Sequence, residues 1–235
     1  GPTAAPCDLG SYQLGEGPFW DDLAGRLSWV YIARGELWVA SLGADGRPTG
    51  AALAFGHPVA TTLGVAVPGT GGGWTCGAEG AVLLLDEDGS VLDRLDLEPP
   101  TVRMNDGACD PAGRFWVGSK AHDNARGAAS LFRVDLDGAV TRVLRGLTIA
   151  NGLGWSPDTT TMYVTDYAVG AIDAHEYDLD TGALGPSRPL VRLVPEEGSP
   201  DGLAVDAEGY IWVAIWGGRA VRRYAPDGTL DSVMQ

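Results

Sequence analysis

The chain has 235 residues, enough for a large core, and carries 31 acidic against 16 basic residues, a net charge of −15. That balance argues against nucleic acid or an anionic membrane surface as a partner and favours holding a cation, although solubility alone accounts for most of it. The 35 glycines fall at turns instead of in a low-complexity tract, and no linker divides the chain, so a single domain over residues 1–235 is expected.

In chain order, the opening GPTAAPCDLG has neither a basic nor an apolar targeting region, and no later run reaches membrane-spanning length; a cytoplasmic protein is expected. Residues 7–12 read as a leading strand that closes the last sheet. Cys7, Cys76 and Cys109 are odd in number and lack paired metal-ligand spacing, which reads as buried free thiols. A first unit over residues 16–55 places strands at Pro18–Trp20, Leu27–Ile32, Glu36–Ala40 and Ala51–Ala54. A second covers 63–95; its Gly69–Gly73 turn leads into no helix and is no phosphate cradle. A third covers 105–144, with a long connection from Lys120 to Ala129 of the kind that carries specificity on a rigid scaffold. A fourth covers 151–193. The fifth, 201–234, is the clearest copy: strand Leu203–Val205, a turn over Asp206–Gly209, and strand Tyr210–Ile215 with Trp212 inside it.

The five units share a register. An anchor at Glu16, Leu63, Asn105, Asn151 and Asp201 is followed five residues later by Asp21, Pro68, Asp110, Ser156 and Asp206. The second strand carries Trp29, Trp74, Trp116, Tyr163 and Trp212, and a later turn reads Asp45-Gly46, Asp88-Gly89, Asp137-Gly138, Asp180-Thr181-Gly182 and Asp227-Gly228. A repeat of roughly 40 to 50 residues built of four-stranded meanders predicts an all-β protein, a β-propeller with five blades visible. Five blades and a leading strand would leave open sheet edges, so a longer C-terminus is expected, with one blade missing here.

First strands of propeller blades line the central channel, so the anchors should converge there. Two carboxylates and two amides in a narrow channel need a positive partner. All-oxygen donors suit a hard divalent cation: Ca²⁺ first, with Zn²⁺, Mn²⁺ or Mg²⁺ as alternatives. Taken singly, Asn-Gly and Asp-Gly are more often turns; Glu16 at the same register is not explained that way. Serine hydrolysis is disfavoured, because Gly154-Trp155-Ser156-Pro157-Asp158 lacks the second glycine of a nucleophile elbow.

The runs GEGPFW, RMNDGACDPAGRFWVGS, NGLGWSPDTTTMYVTD and PDGLAVDAEGYIWVAIWGG resemble the senescence marker protein, gluconolactonase and luciferin-regenerating-enzyme-like family of six-bladed propellers. The resemblance covers almost the whole chain but not the family's final blade. It implies hydrolysis of sugar-type lactones, a metal held by Glu16, Asn151 and Asp201, and substrate contacts from Arg103 and Asn105. Asp201 is then the expected general base for water. His122 and Asp123, by their place in the long third-unit loop, are further expected substrate contacts. The expected partner is a small-molecule lactone, with no nucleic acid and no membrane. The rival readings are a non-catalytic, metal-stabilised propeller that binds a partner protein, and a phosphotriesterase-like hydrolase.

Overall fold

The computed structural model describes residues 12–235, so Cys7 and all of the leading strand except Tyr12 lie outside the described residues. The chain forms two compact units, one ending at Asn105 and the other beginning at Asp106.

The first unit holds two four-stranded antiparallel meanders: β1 (Gly15–Asp21), β2 (Arg26–Tyr31), β3 (Glu36–Leu42) and β4 (Pro48–Leu53), then β5 (Leu63–Pro68), β6 (Trp74–Ala78), β7 (Ala81–Leu85) and β8 (Val91–Asp96). Alternation along the strands sends Val30, Leu37, Leu63, Ala66, Trp74, Cys76 and Leu83 into one core. Each such large apolar side chain contributes about 1.5 to 3 kcal/mol on burial.

The second unit takes in the sheet begun by β9 (Val102–Cys109), whose strand contains the unit boundary, with β10 (Phe115–Ala121), β11 (Ala129–Val134) and β12 (Val140–Leu147). Two more meanders follow: β13 (Ala150–Trp155), β14 (Thr161–Asp166), β15 (Ala171–Asp178) and β16 (Ala183–Arg192), then β17 (Ser199–Val205), β18 (Ile211–Trp216), β19 (Ala220–Tyr224) and β20 (Leu230–Met234). Trp116, Leu131, Leu153, Met162 and Tyr177 form one core, and Tyr163, Ile172, Ile211, Val213 and Tyr224 another.

The described residues therefore contain five four-stranded meanders, the number visible in the sequence. The second-strand aromatics are core residues, with Trp29, Trp74, Trp116 and Tyr163 buried and Trp212 half-buried. The later-turn glycines all sit at positive φ, as in Gly228 at 91°. The cysteines behave differently from one another. Cys76 is buried and its thiol is pushed up to about 12 by burial, as a core thiol should be. Cys109 is exposed, a correction to the expectation of burial: it is the last residue of β9 and faces outward while its neighbour Asp110 is buried. Among the described residues no helix is long and apolar enough to cross a membrane.

Candidate active site

The backbone explains why the anchors stand out. In β1, β5, β13 and β17 the pairing with the following strand slips by one residue at the anchor: between Glu16 and Phe19, Leu63 and Val65, Ala150 and Leu153, and Pro200 and Leu203. An extra residue in one strand bends it locally and re-aims its side chains. Glycine follows the anchor in all four strands, and in two of them packing requires it. A Cβ on Gly64 would lie 2.2 Å from the Met104 carbonyl oxygen, and one on Gly152 only 2.3 Å from the Leu203 nitrogen.

In the second unit, Asn151 and Asp201 are 8% and 9% exposed, and the Asn151 amide donates to the Asp201 carboxylate. Asp201 also accepts the Gly202 N–H, yet burial outweighs both bonds and leaves its pKa raised. Asp106 stands in β9 at the column where the other strands have glycine. Its Oδ2 lies 3.9 Å from the position a Cβ would take on Gly202, and its Oδ1 accepts the Gly107 N–H at 2.8 Å. Burial pushes the Asp106 carboxyl up to about 6, against the Gly107 bond and helped by the Asp201 charge. Among the described residues neither acid has a Lys or Arg in ion-pair contact. Tyr167, in a 3-10 turn over Tyr167–Val169, bonds Ser199 and senses the Asp201 charge; burial, then that charge, raises the phenol's pKa.

The first unit assembles a different group. Arg103 is buried, gives an Nη1–H to the Met104 carbonyl at 3.1 Å, and forms an isolated antiparallel bridge with Glu79 through the backbone. Burial lowers its pKa, opposed by the charges of Glu16 and Glu79. Thr62 donates its hydroxyl to Glu79 at 2.6 Å. Glu16 is half-buried and Asn105 is buried, whereas Leu63 supplies no donor at its anchor and is fully buried. His122 and Asp123 are exposed on the loop after β10, and Asp123 accepts the Ala125 N–H at 2.9 Å, the bond of a local turn.

The chemistry of the donor set fits a hard cation: within the second unit the buried Asp201, the half-buried Asp106 and the Asn151 amide oxygen stand together, and among the described residues neither acid has an ion-pair partner. Among the described residues no three His, Cys, Asp or Glu side chains cluster as a metal site. Asp106 and Tyr167 escaped the sequence reading. The signal for Asp106 was its place in a glycine column; for Tyr167 it was the spacing Tyr167-Ala168-Val169-Gly170, which mirrors Ile32-Ala33-Arg34-Gly35 in the first meander.

Comparison with known proteins agrees with these motifs. Residues 14–235 match the family model described as the SMP-30/Gluconolactonase/LRE-like region. Pentonolactonase XacC of Haloferax volcanii is 36% identical over 228 residues, covering 93% of this chain and 72% of that protein. Regucalcin of Xenopus laevis is 33% identical over 227 residues, covering 92% and 73%. The crystal structure of a calcium-binding regucalcin from Agrobacterium tumefaciens superposes with a TM-score of 0.85 at 31% identity, over 100% of this chain and 78% of that one. The fold is thereby an all-β propeller with five four-stranded blades among the described residues. Matching motifs, matching fold and matching family model lead to one conclusion: the chain belongs to the SMP-30/gluconolactonase/LRE-like family.

Proposed function

We propose that the protein is a divalent-cation-dependent hydrolase that opens sugar-type lactones, in the cytoplasm, with Glu16, Asn151 and Asp201 as the cation's ligands and Ca²⁺ as the first choice of ion. The observation that carries the reading is the buried Asn151–Asp201 pair, whose acid is raised by burial and, among the described residues, has no Lys or Arg in ion-pair contact. The names of relatives, a pentonolactonase and a calcium-binding regucalcin, support it. When bound, the cation polarises the lactone carbonyl and acidifies water.

The chain's own residues do the remainder. Asn151, through its amide, fixes the rotamer of Asp201 so that one carboxylate oxygen faces the incoming water. Asp201 takes a proton from that water at this oxygen. Asp106 adds a second carboxyl beside Asp201. Arg103 and Asn105 contact the sugar hydroxyls and the oxygen on which negative charge develops; Arg103 is already held by its bond to Met104 and needs little reorganisation. His122 and Asp123, exposed on their loop, are assigned to the outer part of the substrate.

The test is proton release on adding aldonolactones, with and without Ca²⁺, Zn²⁺ or Mn²⁺. Cation-dependent release by the wild type, lost in Asp201→Ala, is the expected result. Equal rates in the two proteins remove the reading, and a protein that binds the cation but opens no lactone favours the scaffold alternative.

A further inference from the structure

A cleft of about 700 Å³, within the range of small-molecule sites, lies between the first two meanders. It opens at the Asp21 end of β1, whereas Glu16 sits towards the other end, on the order of 15 Å away at about 3.3 Å per residue. None of the residues assigned to the cation or the lactone lines it. Two turns shape the cleft. On the β1–β2 side, Asp21 Oδ1 accepts the Ala24 N–H at 3.0 Å and closes the turn that carries Asp22 and Leu23. On the β5–β6 side the run Gly69–Gly73 bonds to itself, the Gly69 N–H to the Gly73 carbonyl at 3.0 Å and the Gly72 N–H to the Gly69 carbonyl at 3.2 Å. Thr70 is the one residue of that run with a side chain, so the wall it makes is set back and the space before it stays open. A Cβ at Gly72 would collide with the Glu87 carboxylate, which reaches this loop from the turn after β7.

The lining combines aromatic faces with an excess of carboxylate. Phe19 and Trp20 are 38% and 42% exposed, and the buried Trp74 adds a third ring. The Trp20 Nε1–H donates to Asp22 Oδ1 at 3.4 Å, so the indole has its ring to offer and not its donor. Against the carboxylates of Asp21, Asp22 and Glu87 stands one guanidinium, that of Arg26, and it is already engaged. Its Nε is enclosed 3.6 Å from Asp21 Oδ2, and its central carbon lies 5.0 Å from the centroid of the Trp74 ring. Asp22 from the first meander and Glu87 from the second thus leave net negative charge beside exposed π-faces. An anion is repelled there, and the Gly69 and Gly72 N–H groups are spent on their own loop. A neutral sugar leaves the charge unanswered, and aromatic rings give a hard metal ion no ligands. A positive charge on an apolar body answers both features: the ring quadrupole attracts it over the face, and the carboxylates add Coulombic attraction.

We propose that this cleft binds a small organic cation, an alkylammonium or quaternary ammonium group, held over Trp20 and between the carboxylates of Asp22 and Glu87. The site is separate from the lactonase reading, and the presence or absence of lactone opening has no bearing on it. Titration calorimetry of the full chain in saturating Ca²⁺ tests it with three probes: choline, protonated n-butylamine, and 3,3-dimethylbutanol, the uncharged counterpart of choline. The better cation should bind about tenfold or more tightly than the alcohol, and raising salt from about 0.02 to about 0.2 M should weaken the cation several-fold and leave the alcohol unchanged. Which cation binds more tightly tells quaternary from primary ammonium. Trp20→Ala should weaken the better cation by about tenfold, Trp20→Phe by less, and Glu87→Gln by about threefold. Glu87 is exposed, so its replacement reads the site even where Trp20→Ala fails to fold. Asp201→Ala, at the candidate active site, should bind the cation as the wild type does. Equal affinity for the alcohol and the cations, no binding of either cation, affinity that Glu87→Gln leaves unchanged, or binding that Asp201→Ala abolishes overturns the proposal.

Discussion

Asp201 and Asp206 stand five residues apart, one near each end of β17, and the same carboxylate meets opposite surroundings. Burial pushes Asp206 up, but the Trp212 indole at 2.9 Å and the Arg223 guanidinium at 2.9 Å more than offset it and bring the group down to about 2. Asp201, with an amide and one N–H, stays raised. The third meander repeats the contrast. Asp110 accepts from the Tyr177 hydroxyl at 2.6 Å, the Trp116 indole at 3.0 Å and Arg114 at 3.0 Å, and is held below its ordinary value despite burial. Asp106, four residues earlier, rises to about 6. A buried acid whose oxygens are all met is scaffold; one left short of donors is available for a cation or a proton.

The largest effect should come from breaking the short-of-donors end. Asp201→Ala is expected to lower kcat by about 10³-fold and to abolish calorimetric Ca²⁺ binding, with little change in the urea midpoint of the cation-free protein. Retention of turnover within tenfold would erase the distinction between the two ends. Asp110→Ala attacks the other end: it strands Trp116, Tyr177 and Arg114, and should cost about 3 kcal/mol in urea denaturation. Glycines at the anchor sharpen the contrast next. Gly152→Ala, with its Cβ 2.3 Å from the Leu203 nitrogen, should cost about 2 kcal/mol, while Gly202→Ala, with 3.9 Å to the nearest atom, should cost well under 1 kcal/mol by the same measurement.

The smallest effect is in pH, and the two ends give opposite signs. Asp106 is raised to about 6 in the folded protein, so its ionised form costs stability above that pH and the cost is relieved as pH falls from about 6 towards 4. Asp110 and Asp206 are depressed, so the stability they supply is complete above about pH 4 and is lost as pH falls towards 2. Thermal midpoints of cation-free protein from pH 7 to 2 should therefore rise and then fall. Asp106→Asn should flatten the rise alone.

The meanders were legible in the sequence because each repeats the same turns and the same aromatic, and five copies agreeing on Glu16, Leu63, Asn105, Asn151 and Asp201 fix a register that no single copy could. The slipped pairing at those anchors was not legible, since a bulge is a property of two strands and not of one string of residues. Asp106-Gly107 looks like a turn dipeptide but lies within β9, where tertiary pairing overrides turn chemistry. The fates of Asp110 and Asp206 were equally hidden, because their donors Tyr177 and Arg223 lie 67 and 17 residues away.

The slipped pairing also explains how this scaffold accommodates change. Because the backbone, and not the side chain, makes the kink, the residue at its crest is free to vary: Leu63 occupies the same slot as Glu16 and its strand forms the same ladder. Such positions are sockets into which different chemistry can be plugged over evolutionary time, each exchange altering what the protein holds without unsettling the sheets that present it.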